Sequence, residues 1–71
     1  MECFLAGYDK PVKGIAVNRG PEGLCLKLAI PVRTDQEVTL RRGPSHAPRA
    51  AVVRWVAEED EGSYMVGLKY A

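Results

Sequence analysis

Seventy-one residues carrying a formal net charge of +1 set the first limits. A chain this short makes a single domain, residues 1–71, whose thin core buries only ~60% of the unfolded surface. Its 46% hydrophobic and 27% charged residues exclude a disordered chain, and the near-zero net charge excludes a global attraction to nucleic acid, membrane or acidic substrate.

No apolar run is long enough to cross a bilayer, and Met1-Glu2-Cys3-Phe4 lacks the basic start of a secretory leader. A protein of the reducing cytoplasm is expected. Cys3 and Cys25 fit no zinc or redox spacing, and His46 is the sole histidine, so no four-ligand metal site is expected. Free cysteine usually behaves as a small buried hydrophobe, and both are read that way. A disulfide would require their strands to pair, and the reducing compartment argues against it.

Glycine or proline interrupts nearly every helix-length window before Ala50, so short strands are expected throughout. Glu2 to Leu5 reads as the first strand and Ala6 to Pro11 as a hairpin loop. Val12 to Val17 is the second strand, ended by the turn Asn18-Arg19-Gly20-Pro21-Glu22-Gly23. Gly20 and Gly23 permit positive φ and the close approach of another group, and Pro21 fixes its own φ. In the third strand, Leu24, Leu26 and Leu28 share one face, which alternation makes the buried one. Pro31 and Thr34-Asp35-Gln36 form a connection, and Glu37 to Arg41 is a strand with Val38 and Leu40 inward. After the breaker-rich Arg42 to Pro48, Arg49 to Ala57 is the longest strand. It is apolar on both faces apart from Arg54, so alternation leaves its inner side open. Glu58 to Gly62 is read as an acidic turn, and Ser63 to Tyr70 as the last strand. Six short antiparallel strands close most economically into a small barrel, which removes exposed edges.

Three stretches resemble the PilZ domain, a bacterial six-stranded barrel known as a receptor for cyclic-di-GMP. The turn from Asn18 to Gly23 is similar to the family's Asp/Asn-x-Ser-x-x-Gly element. Ala51 to Val56 is similar to its long strand, and Tyr64-Met65-Val66-Gly67-Leu68-Lys69-Tyr70 to its terminal strand. The resemblance spans roughly residues 12 to 70. It implies a PilZ-like regulatory module of second-messenger signalling, with Asn18, Arg19, Gly20 and Gly23 contacting cyclic-di-GMP and no cofactor. Two departures weaken the implied binding. Gly20 stands where the motif has serine, which removes a hydrogen bond worth ~1 kcal/mol. The family's Arg-x-x-x-Arg clamp has no counterpart, since no arginine precedes Arg19 and Lys10 with Lys13 cannot form a planar fork. Binding is expected to be weak or lost, as in a piece of a longer receptor or a degenerate member. The alternative is an adaptor on the same barrel, engaging a motility or surface-attachment protein.

Other groupings point less far. Arg41, Arg42, His46 and Arg49, with Arg33 near, make a local positive loop. A nucleic-acid-binding barrel using Arg41, Arg42 and Arg49 is a further alternative, disfavoured because no aromatic interleaves the arginines. Arg19 is the better anion contact, beside glycine backbone that can donate N–H groups. Glu58 to Glu61 lack the alternate spacing of a calcium loop and read as a solvated tip. Trp55 is either a stacking platform or a core residue, and a thin-cored barrel favours the core. With no Ser/His/Asp set and no Cys–His motif, an enzyme is not expected.

Overall fold

The computed structural model describes residues 1–71 and contains seven strands and no helix. They are β1 (Glu2–Phe4), β2 (Val12–Lys13), β3 (Ile15–Arg19), β4 (Gly23–Leu28), β5 (Glu37–Arg41), β6 (Arg49–Asp60) and β7 (Ser63–Tyr70). Every pairing is antiparallel, and all seven belong to one sheet in the order β2-β1-β5-β6-β7-β4-β3. No helix is long and apolar enough to cross a membrane.

The all-β class and antiparallel pairing follow the alternation in the sequence. The strand count does not. The run expected as one strand from Val12 to Val17 is divided at Gly14, giving seven strands rather than six. No ladder joins β2 to β3, so the sheet is not closed. These two edges are nevertheless consecutive in the chain, with only Gly14 between them, and the sheet curls so that they converge there. Gly14 donates its N–H to the Met1 carbonyl at 2.8 Å. A Cβ on Gly14 would meet Leu28 Cδ2 at 2.9 Å, Leu26 Cδ1 at 3.3 Å and Cys3 Sγ at 3.5 Å. Side chains from β4 and β1, near opposite edges of the sheet, therefore share one interior.

That interior holds 12 buried residues, including Leu24, Leu26, Leu28, Val38, Leu40, Val53, Val66 and Leu68. Each fully buried aliphatic side chain contributes ~1.5–3 kcal/mol over its exposed state. The β4–β5 connection is tied down as well. Val32 is buried, Asp35 donates its N–H to the Val53 carbonyl at 2.8 Å, and Val53 donates to the Gln36 carbonyl at 2.9 Å.

Three register slips shape the sheet. They leave Val17 unpaired between Ala16 and Asn18, Arg54 between Val53 and Trp55, and Glu59 between Glu58 and Asp60. An extra residue bends its strand and shifts the side chains beyond it to the other face. This overturns the core reading of Trp55. Val53 is fully buried, Arg54 takes up the extra position, and Trp55 emerges outside, 47% exposed. The acidic segment is also corrected: Glu58, Glu59 and Asp60 lie in β6, so the turn itself is Glu61-Gly62.

Candidate functional site

Across four neighbouring strands, Asn18, Cys25, Gly67 and Trp55 stand in one row as successive partners on β3, β4, β7 and β6. The adjacent row, Ala16, Leu26, Val66 and Val56, packs in the core, so the Asn18 row faces outward. Two of the register slips, at Val17 and Arg54, flank this row on its outer strands. Between them lies a cavity of about 310 Å3 lined by Asn18, Arg19, Gly20 and Gly23 together with Arg54 and Trp55.

Glycine makes room for this surface at two points. Gly67 sits beneath the indole, and a Cβ there would overlap Trp55 Nε1. The ring thus lies across bare backbone of β7, an aromatic covering a strand glycine. At Gly23, a Cβ would overlap the Leu68 carbonyl oxygen, so this position is fixed by close approach of two backbones. The expectation of positive φ is not met at Gly20 or Gly23. Only Gly7, Gly62 and Asp35 adopt it.

The turn is tighter than its sequence implied. Asn18 and Arg19 belong to β3, and Gly20 donates its N–H to the Gly23 carbonyl at 2.9 Å. Tyr70 donates to the Glu22 carbonyl at 2.8 Å, which ties the turn to the end of β7. All four predicted contact residues are brought together in this way. Arg54 and Trp55 were missed as their neighbours, because a strand apolar on both faces does not reveal where its phase slips; Cys25 joins them from the outer face of β4.

The positive loop is less uniform than its sequence. Arg41 is engaged by Glu2, its cross-strand partner, at 2.7 Å from Nη2 and 2.9 Å from Nε, and its guanidinium lies 5.1 Å from the Phe4 ring centroid. Arg33 lies in the β4–β5 connection, at the other end of the sheet. Neither belongs with Arg42, His46 and Arg49. The cysteines are free, on β1 and β4, strands that do not pair. Burial raises the Cys25 thiol pKa, and the Glu59 carboxylate raises it further, so it stays protonated and a poor nucleophile at neutral pH. The structure contains no cluster of three or more His, Cys, Asp or Glu placed to hold a metal ion.

Comparison with protein-family models, curated proteins and solved structures gave no match.

Proposed function

We propose that the chain is a PilZ-like regulatory binding module, not an enzyme, whose outward cavity beside the β3–β4 turn contacts cyclic-di-GMP weakly. In this reading Val12 to Arg19 acts as one strand bent at Gly14, and the curled sheet is the six-stranded barrel of that family. One observation carries it: Asn18, Arg19, Gly20 and Gly23 line a single cavity with Arg54 and Trp55. That set combines an amide for a base edge, two guanidiniums for phosphate and an indole for stacking. Weak affinity follows because no Arg-x-x-x-Arg pair occurs among these 71 residues. Loss of two charge-assisted partners at ~1.5–3 kcal/mol each lowers affinity by orders of magnitude.

Trp55 is the only tryptophan, which gives the test a direct signal. Millimolar cyclic-di-GMP is expected to quench its fluorescence saturably, and Asn18→Ala to abolish the effect. An Asn18→Ala titration superimposable on the wild type removes this assignment.

A second reading, an adaptor for a motility or surface-attachment protein, is favoured by the edge strand β3. Ile15 is 68% and Val17 55% exposed there, an apolar edge of the kind that accepts an added strand. Saturable capture of such a partner, unaffected by the dinucleotide, distinguishes it.

A further inference from the structure

A second hollow opens at the end of the sheet where β4 and β6 begin and β5 and β7 end. It measures about 230 Å3, with Leu24, Leu40 and Tyr70 in its wall and Arg42, His46 and Arg49 also lining it. A neighbouring opening shares Arg42 and His46 and adds Arg19. No carboxylate lines either one. The ion pairs of the structure join Lys27 to Glu59 and Arg41 to Glu2, leaving Arg19, Arg42 and Arg49 without an acidic partner.

The register adds a second, independent sign. Arg49 is the cross-strand partner of Leu40, and Arg19 of Leu24, and both leucines are buried. The two arginines therefore end inward-facing rows, at positions where alternation calls for apolar residues. Arg49 is held in place by the Tyr70 ring, its guanidinium 3.6 Å from the centroid. Cations gathered without counter-charge over an apolar wall focus a positive field on a small mouth.

We propose that this end of the sheet binds a small organic phosphate monoester. Its apolar or aromatic body lies against Leu24, Leu40 and Tyr70, and its head is held by Arg42 and Arg49, with His46 and Arg19 beside them. The hollow is smaller than the ~300–1,000 Å3 of sites that engulf a drug-sized molecule, so it takes one ring or a short branched chain. A phosphate head carries a charge of about −2 near neutral pH with three acceptor oxygens, and guanidinium forks match it. A carboxylate supplies half that charge. This site adjoins the cavity around Asn18 and Trp55, with Leu24 and Arg19 shared between the two.

The test is a proton–nitrogen NMR titration of the whole chain with phenyl phosphate, inorganic phosphate and benzyl alcohol. Phenyl phosphate is expected to shift the amides of Leu40, His46, Arg49 and Tyr70. Inorganic phosphate should bind about tenfold more weakly, because it leaves the apolar wall uncovered. Benzyl alcohol should not bind. The double substitution Arg42→Gln/Arg49→Gln should weaken phenyl phosphate by at least about tenfold; both residues are exposed, and an unchanged spectrum elsewhere confirms folding. Equal affinity for phenyl and inorganic phosphate overturns the proposal, and that comparison needs no variant. So do an absence of shifts at millimolar probe, affinity untouched by the double substitution, or shifts centred on Asn18 to Gly23 instead.

Discussion

Trp55 shows how one extra residue changes what a side chain does. The run Val52-Val53-Arg54-Trp55-Val56 offers apolar groups to both faces, and its pattern alone does not reveal that Arg54 is unpaired. The slip sends the indole outward over Gly67, where it roofs bare backbone and borders the Asn18 cavity. Cys3 shows the opposite case, a polarisable group kept fully inside. Burial pushes its thiol pKa up to about 11 from 9.0, against a smaller downward pull from the amino terminus. The unfolded chain gives up this proton near pH 9, whereas the folded chain holds it until about pH 11. Its contribution is therefore fully present below about pH 9 and is lost as pH rises through that window, at a total of ~2–3 kcal/mol. Urea unfolding at about pH 8 and about pH 11 should show wild type losing more stability than Cys3→Ala by roughly that amount. Equal losses would show that the thiol is not held protonated by the fold.

At the scale of elements, the strands with clean alternation were legible and the irregular ones were not. Leu24, Leu26 and Leu28 are buried as their period-two spacing requires, and so are Val38 and Leu40. β5 and β7 have the bounds their flanking breakers imply. The run Val12 to Val17 is not the single strand its pattern implies, because its glycine marks a change of partner: residues before Gly14 pair with β1 and those after it with β4. The candidate turn and the close approach at Gly23 were legible from the glycines, although the approaching group was not. Gly23 serves close backbone packing against Leu68, a contact between strands distant in sequence. Gly14→Val would place its Cβ against Leu28, Leu26 and Cys3 and should cost ~1–3 kcal/mol by overpacking, read from the urea midpoint. Stability equal to wild type would mean that the two edges do not meet over a shared core.

At the scale of the whole molecule, a net charge of +1 conceals a polarity. Glu58, Glu59, Asp60 and Glu61 crowd the tip of the β6–β7 hairpin, and Arg19, Arg42 and Arg49 gather at the opposite end. Composition cannot reveal this, because it arises from which strand ends the topology brings together. The outward cavity lies near the cationic end and shares Arg19 with it, so any anionic ligand approaches a favourable field. In the proposed reading, the β3–β4 turn and the Trp55 surface form one ligand site. It is tested most directly by a proton–nitrogen NMR titration with cyclic-di-GMP to millimolar concentration. Shifts are expected at Asn18, Arg19, Gly20, Gly23 and Gly67 and at the Trp55 indole N–H, moving together along one binding curve. A flat spectrum, or shifts confined to residues away from that cavity, would contradict it.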